Sequence, residues 1–202
     1  MGELRDKSGK TESEFLREYD ITKYFRPSVT VDAVLCVPKA DGGRLLLIKR
    51  GGHPFIGDYA FPGGFVEKDE PCETAAAREL CEETGIAGVP LRQLVTVSTP
   101  DRDPRWRNIT VIFTAALDKE IPAVGSDDAA LAEWFDFTVE EKGSAVKIEF
   151  AGSERFACRL DVVRDAFGAI DINNTKIVER GKMAFDHAKL TYYLFDALRL
   201  RK

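Results

Sequence analysis

The feature that most constrains the fold of this chain is the segment at residues 64–86, GFVEKDEPCETAAARELCEETGI. Pro71 is suited to the first turn of a helix, because its fixed φ is already helical and that turn does not need its N–H. Gly85 is suited to the left-handed residue that follows a helix. The segment therefore predicts a helix over residues 71–84 with a loop on either side, and Leu80 is expected to pack against a sheet.

Three glutamates of this helix, Glu79, Glu82 and Glu83, stand at positions i, i+3 and i+4, so their carboxylates share one helical face. No basic residue has a spacing that matches all three, and unpaired carboxylates would repel one another. A hard divalent cation bound through oxygen atoms removes this repulsion, and Mg²⁺ is the usual choice in phosphate chemistry. Arg78 is expected to pair with Glu70 of the preceding loop and hold the helix against it.

An isolated acidic cluster is usually a solvated surface, but the rest of this segment is also specific. The segment resembles the Nudix box at every specified position: Gly64 is followed after five residues by Glu70, and Glu70 is followed after seven residues by RELCEETGI at residues 78–86. The resemblance implies an α/β/α sandwich with a mixed sheet, in which the box forms a loop–helix–loop motif. It also implies a catalytic set in which water attacks phosphorus with the help of Mg²⁺ or Mn²⁺. The metal ligands would be Glu79, Glu82, Glu83 and the carbonyl of Gly63, supported by Glu70 and Arg78.

Other segments resemble one Nudix subgroup, which contains bacterial ADP-ribose pyrophosphatases and related regulators of NAD metabolism. These segments are RPSVTVDAVL, LLLIKRGGHPFIGDYAFPGGFVE, PDRDPRWRNITVIFTAAL, DDAALAEWF and MAFDHAKL. They span most of residues 26–190, but residues 143–183 have no counterpart. The resemblance implies that the substrate is ADP-ribose, which would be cleaved to AMP and ribose 5-phosphate.

Within these segments several side chains are candidates for contact with such a substrate. A guanidinium can bind two diphosphate oxygens at once, so Arg50, Arg102 and Arg105 are candidates for that role. An ordinary ion pair is an equally good interpretation of each arginine alone. Trp106 is a candidate for stacking on adenine, as are Phe25 and Phe55, although aromatic side chains more often pack in a core.

The general base is less well defined by the sequence. The resemblance implies either one of the helix glutamates or an acid further along the chain, for which Asp127, Asp128 and Glu133 are candidates. Each of these three is more often a surface charge. The two histidines, His53 and His187, lack the spacing of metal ligands and are interpreted as structural.

The remaining sequence predicts one Nudix domain over residues 26–202, preceded by an extension at residues 1–25. Thr11 and Glu14 have the spacing of a capping box, which predicts a short helix in the extension. An insertion at about residues 143–183 contains the β-rich runs VKIEF, RFACRL and NTKIVER. A final helix is expected from about Asp186 to Arg199.

Between these parts, alternating apolar residues and turn signals predict further strands. Residues 29–37 and 44–50 are expected to form a hairpin around the turn Asp41-Gly42-Gly43. Strands are also expected at residues 91–98, 108–117 and 131–137, and the second is expected to be central because it is mostly apolar.

The composition limits the partners and the compartment. A net charge of −5 gives no support for nucleic-acid binding, and the final helix leaves too few residues for a winged-helix module. No apolar run is long enough to span a membrane. Four cysteines without a CxxC pair, together with a charged N-terminus, favour reduced thiols in a cytoplasmic protein. The oligomeric state stays open, a homodimer included.

Three alternatives to ADP-ribose hydrolysis stay open at this point. The chain could hydrolyse another nucleotide, such as NADH, a nucleotide sugar or a damaged nucleoside triphosphate. It could be a regulator of NAD metabolism that senses ADP-ribose without catalysis. It could also be a binding module whose metal ligands are vestigial.

Overall fold

A computed structural model describes residues 3–125 and 129–199 of the chain. Helix α1 spans Glu12–Glu18, α2 spans Cys72–Thr84 and α3 spans His187–Arg199. The ten strands, in chain order, are β1 (Ser28–Lys39), β2 (Gly42–Arg50), β3 (Tyr59–Ala60), β4 (Gly63–Phe65), β5 (Arg92–Val97), β6 (Asn108–Ala116), β7 (Ala129–Lys142), β8 (Ala145–Ala151), β9 (Arg155–Asp161) and β10 (Lys176–Glu179). In the described residues no helix is long and apolar enough to cross a membrane.

All ten strands join one mixed sheet in the order β10-β9-β8-β7-β2-β1-β6-β5, with β3 paired to β2 and β4 paired to β1. Strands β1 and β6 run parallel, and the other paired strands in this order run antiparallel. The mixed sheet agrees with the predicted fold class. Strand β6 was expected to be central, but it lies one strand from the edge, between β1 and β5. Its apolar sequence is explained by the burial of both faces of the sheet at this position.

The sheet is covered on both faces, as the predicted α/β/α sandwich requires. Alternate residues of β1 point to opposite faces. Leu35 packs on one side with Leu80 of α2, and Val34 packs on the other side with Leu190 and Leu194 of α3. Burial of both faces gives β1 its nearly continuous apolar sequence.

The predicted local signals agree with the observed elements. Thr11 caps α1 and forms the capping box with Glu14. Helix α2 begins at Cys72, one residue after Pro71, and ends at Gly85, whose φ of 70° lies in the left-handed region. Strands β1 and β2 pair as the expected hairpin.

Strand β7 is about twice as long as the expected strand at residues 131–137. Its first half pairs with β2 and its second half pairs with β8. The second half contains Glu140, Glu141 and Lys142, and this polar run gives no strand signal of its own. Its extended conformation depends on the neighbouring strand.

The segment that was expected to be an insertion contributes β8, β9 and β10 to the same sheet. Phe150 of β8 is 2% exposed, and its ring stacks on Phe156 of β9 at 4.8 Å between centroids. Both side chains belong to the apolar cluster that includes α3. We therefore keep the proposal that residues 26–202 form a single domain.

We predict that Phe150→Ala lowers the free energy of unfolding by about 3–5 kcal/mol, because it leaves a cavity among aromatic rings. Urea unfolding should remain a single transition when it is followed by tryptophan fluorescence, to which the buried Trp134 of β7 contributes. The control is Phe167→Ala, because Phe167 is 96% exposed and its removal should change stability by less than about 0.5 kcal/mol. Two separate transitions in the wild-type protein would contradict the single-domain proposal.

Candidate functional site

A cavity of about 490 Å³ opens where the end of β2, strand β4, helix α2 and the start of α3 meet. This volume lies within the range of roughly 300–1,000 Å³ that is usual for small-molecule sites. Its charged lining includes Asp32, Arg50, Glu67, Arg78, Glu79, Glu83, Arg102, Asp103 and Arg105. Its rings are those of His53, Phe61, Phe65, Phe185 and His187.

Two consecutive glycines of β4 allow close contacts in the wall of the cavity. A side chain at Gly63 would collide with the backbone of Val31 on the neighbouring strand, and one at Gly64 would collide with the carboxylate of Glu79. With no side chain in the way, the Gly63 N–H donates a hydrogen bond of 2.8 Å to Oε2 of Glu83. Gly63 therefore lets β4 lie close to β1, and Gly64 leaves space for the carboxylate of Glu79.

Glu83 is the most perturbed carboxylate of this cavity. Burial raises its pKa to about 8, and the negative charges of Glu79 and Asp32 act in the same direction. The hydrogen bond from Gly63 and the positive charge of Arg50 oppose this shift. A carboxylate that is buried beside two others is the kind of group that a bound cation stabilises.

Arg78 changes the interpretation of the acidic face. It forms the predicted ion pair with Glu70 at 2.7 Å, and it also contacts Glu79 at 2.8 Å and Glu82 at 2.9 Å. The expectation that the three glutamates lack a basic partner is therefore wrong. Arg78 lies next to Glu79 and one helical turn before Glu82, so one guanidinium reaches both.

Because of these ion pairs the carboxylates are not gathered around one point. Within residues 3–125 and 129–199, no three Asp, Glu, His or Cys side chains are arranged to hold one metal ion. The chemistry of the donors nevertheless fits a hard divalent cation, since Glu79, Glu83 and Gly63 supply only oxygen ligands at the cavity wall. Glu82 is more peripheral, because its side chain is 55% exposed and lies outside the lining.

The three candidate arginines have different environments. Arg50 donates to the carbonyl of Pro54 at 2.8 Å, and burial together with the charge of Arg105 lowers its pKa. Arg105 pairs with Asp103 at 2.7 Å and keeps 42% of its side chain exposed. Arg50 and Arg105 thus place two mutually repelling positive charges at the cavity.

Arg102 lines the cavity, but it is fully engaged with another residue. Its Nε and Nη2 atoms donate to the two oxygens of Asp186 at 3.0 and 2.7 Å, and only 5% of its side chain is exposed. This bidentate pair connects the loop between β5 and β6 with the start of α3. The geometry favours the ion-pair interpretation of Arg102 over direct contact with a diphosphate.

Two buried polar residues at the cavity were not predicted as part of the site. Asp32 accepts a hydrogen bond of 2.5 Å from the hydroxyl of Thr110, and one of its oxygens lies 3.5 Å from Nε2 of His187. His187 Nδ1 accepts the N–H of Phe61 at 3.0 Å, and burial lowers the pKa of the imidazole, which favours the neutral ring. The sequence signal for Asp32 was its position as a lone charge within the apolar strand VTVDAVLCV.

Other candidate residues lie away from the cavity. Trp106 is 62% exposed and packs against Phe25 at 6.0 Å, beside a second depression that shares Asp103 and Arg105 with the cavity but is not lined by the helix carboxylates. Phe55 lies behind the lining, where its ring meets that of Phe185 edge-on at 4.9 Å.

Of the candidate bases, Glu133 lies outside the lining and accepts the N–H of Ser153 at the turn between β8 and β9. Asp127 and Asp128 lie outside the described residues. Both histidines, His53 and His187, line the cavity.

Comparison with known proteins gives a consistent result. A family model described as the NUDIX domain matches residues 29–151. An ADP-ribose pyrophosphatase from Methanocaldococcus jannaschii is 40% identical over 127 residues, which cover 61% of this chain and 72% of that protein. The "ADPR responsive transcriptional repressor NtrR" from Acinetobacter baylyi is 31% identical over 170 residues, covering 82% of this chain but only 63% of the repressor.

The similarity extends to solved structures. A MutT/nudix family protein from Enterococcus faecalis superimposes with a TM-score of 0.72 and 33% sequence identity. The alignment covers 94% of this chain and 70% of that protein, so most of residues 143–183 lie within the matched region.

We predict that Asp186→Asn lowers the free energy of unfolding by about 3–5 kcal/mol, because it leaves the buried guanidinium of Arg102 without its counter-charge. The matched control is Glu179→Gln, which breaks an ion pair with Arg159 whose side chains are both more than half exposed and should cost about 1 kcal/mol or less. Urea denaturation measures both values. Equal effects in the two variants would show that the Arg102–Asp186 pair does not hold the loop.

Proposed function

The chain belongs to the Nudix hydrolase family, and from this premise we propose that it hydrolyses the pyrophosphate bond of a nucleoside-diphosphate compound, with ADP-ribose preferred. The products would be AMP and ribose 5-phosphate. One observation carries the proposal: a single cavity is lined by two partly buried carboxylates of α2, Glu79 and Glu83, and by two arginines, Arg50 and Arg105. A diphosphate joined to a divalent cation has the charge distribution that suits these two pairs of residues.

We propose that the metal is bound by oxygen donors in the wall of the cavity together with the more exposed Glu82 beside it. Glu79, Glu82, Glu83 and the carbonyl of Gly63 would hold Mg²⁺, with Mn²⁺ as a substitute. When bound, the cation neutralises the diphosphate and polarises it toward attack by water. The raised pKa of Glu83 supports this assignment, because burial and the charges of Glu79 and Asp32 outweigh the compensation from Arg50 and the Gly63 N–H.

The residues around the metal ligands have supporting functions in this proposal. Glu70 and Arg78 anchor the loop to α2, and Arg78 also restrains Glu79 and Glu82 through its ion pairs. The position of Glu133 away from the cavity favours a glutamate of α2 as the general base.

Arg50 and Arg105 are proposed to bind the diphosphate, since each lines the cavity and their like charges repel. An anion between them relieves that repulsion. Arg102 is proposed to act indirectly by holding the loop that includes Arg105, because its own guanidinium is paired with Asp186. Trp106 has no direct function in this scheme.

Two alternatives lead to different experimental outcomes. A Nudix enzyme with another nucleotide substrate would hydrolyse that compound faster than ADP-ribose. A regulator that senses ADP-ribose would bind it without cleaving it, and the similarity to the Acinetobacter repressor motivates this alternative. We propose that nucleic acid is not a partner, because the net charge of −5 opposes binding to phosphates; a sequence-specific, salt-sensitive shift of promoter DNA would contradict this.

We predict that Glu83→Gln lowers kcat for ADP-ribose at saturating Mg²⁺ by at least about 100-fold while the fold survives, since a hard cation loses one anionic ligand. Glu82→Gln should have a similar effect. The control is Glu73→Gln, an exposed carboxylate in the first turn of the same helix, which should retain wild-type kcat. The measurement is AMP release as a function of Mg²⁺ concentration. Wild-type activity in Glu83→Gln would exclude this residue as an essential ligand.

We predict that kcat/KM for ADP-ribose exceeds the values for NADH, ADP-glucose and 8-oxo-dGTP at equal Mg²⁺. Specificity is a ratio of these constants, so one positive assay is insufficient. If a competitor exceeded ADP-ribose by tenfold, which corresponds to about 1.4 kcal/mol in the transition state, the substrate assignment would be wrong while the hydrolase assignment would stand.

A further inference from the structure

We propose that Phe65 and Phe185 form the two sides of a slot that binds the nucleobase of the substrate by stacking. This inference rests on the proposed function to the extent that the ligand of the cavity is a nucleotide. The carboxylates and arginines account for the diphosphate of such a ligand, and the slot accounts for its nucleobase.

The position of Arg105 provides the first evidence for a slot. Its guanidinium carbon lies 5.2 Å from the ring centroid of Phe65 and 5.6 Å from that of Phe185, and both rings line the cavity. One planar group therefore contacts both rings, which means that the rings border the same space. A guanidinium and a nucleobase are both flat and stack on aromatic rings in a similar way.

The exposure of the two rings provides the second argument. Phe65 is 47% exposed and Phe185 is partly exposed, whereas phenylalanines that serve only as core are usually buried. Phe65 belongs to β4, directly after Gly63 and Gly64, so its ring is close in sequence to the proposed metal ligands. Trp106 and Phe25, in contrast, border an adjoining depression, which shares Asp103 and Arg105 with the cavity but has no carboxylate of α2 in its lining.

Phe185 is held in a conformation that requires support from its surroundings. Its φ is 50°, which is uncommon for a bulky residue and is often retained where function needs it. On one side, Ala184 donates its N–H to the carbonyl of Tyr59 at 2.8 Å. Beneath it, the ring of Phe55 packs edge-on at 4.9 Å. The ring is thus fixed before a ligand binds, which reduces the entropy lost on stacking.

The positive charges around Phe185 match a nucleotide. The guanidinium of Arg50 lies 5.0 Å from the ring centroid, and that of Arg105 lies 5.6 Å from it. A base between Phe65 and Phe185 would therefore have cations beside it for the attached phosphates. Entry of the base would displace the guanidinium of Arg105 from its position against the two rings, while the ion pair with Asp103 keeps Arg105 at the cavity, where it can also contact phosphate oxygens.

The test compares two ligands that carry one phosphate each and differ in the base. Isothermal titration calorimetry with Mg²⁺ present measures the affinities of AMP and ribose 5-phosphate for the full chain. We expect the wild-type protein to bind AMP more tightly. Phe65→Leu and Phe185→Leu should each weaken AMP binding by about tenfold, a typical effect of losing one stacked aromatic face, and should leave ribose 5-phosphate binding unchanged.

Two further variants make the result specific. Phe167→Leu changes an exposed phenylalanine outside the lining of the cavity and should leave the affinity for AMP at the wild-type value. Trp106→Leu tests the depression bordered by Trp106 and Phe25. Loss of AMP affinity in Trp106→Leu but not in Phe185→Leu would overturn the proposal, and so would equal wild-type affinities for AMP and ribose 5-phosphate.

Neither ligand is hydrolysed in this experiment, so its result is separate from that of the hydrolysis assay. If the wild-type protein does not cleave ADP-ribose, but Phe65→Leu and Phe185→Leu weaken AMP binding, the slot is supported and the substrate assignment is wrong. If the wild-type protein cleaves ADP-ribose, but all variants bind AMP as tightly as the wild type, the substrate assignment is supported and the slot is wrong. Melting temperatures of each variant verify that the fold is intact.

Discussion

The candidate site depends on the close contact between α2 and strands β1 and β4. Ala75 and Ala76 on the helix are completely buried, and they pack with Val31 of β1. These small residues let the helix lie close to the sheet, which places Oε2 of Glu83 2.8 Å from the N–H of Gly63. A larger side chain at Ala75 or Ala76 would displace the helix from the sheet, and Glu79 and Glu83 with it.

Much of this arrangement could be predicted from local sequence, because local interactions determine it. The ends of α2, the capping box of α1 and the hairpin of β1 and β2 each depend on residues within a few positions of one another. The Nudix motif is local in the same sense, so its helix, its glutamates and the Arg78–Glu70 pair follow from one segment.

The parts that could not be predicted depend on distant residues. Arg102 pairs with Asp186, and His187 meets Asp32, and neither contact has a signal in its own segment. The ion pairs of Arg78 with Glu79 and Glu82 were missed for another reason. Their spacing was visible in the sequence, but the interpretation paired Arg78 with Glu70 alone, although one guanidinium has five donors.

The contacts between remote segments also determine when the cavity can exist. Asp32 lies on the first strand, whereas Asp186 and His187 lie at the start of the last described helix. A chain that emerges from the ribosome can form the first hairpin and α2 early, since their partners are close in sequence. The wall that contains Phe185 and the anchor of Arg102 are added only after about residue 187 has been synthesised. The growing chain can therefore present an acidic helix well before it has the complete cavity, and any function that needs the cavity begins only when the fold is complete.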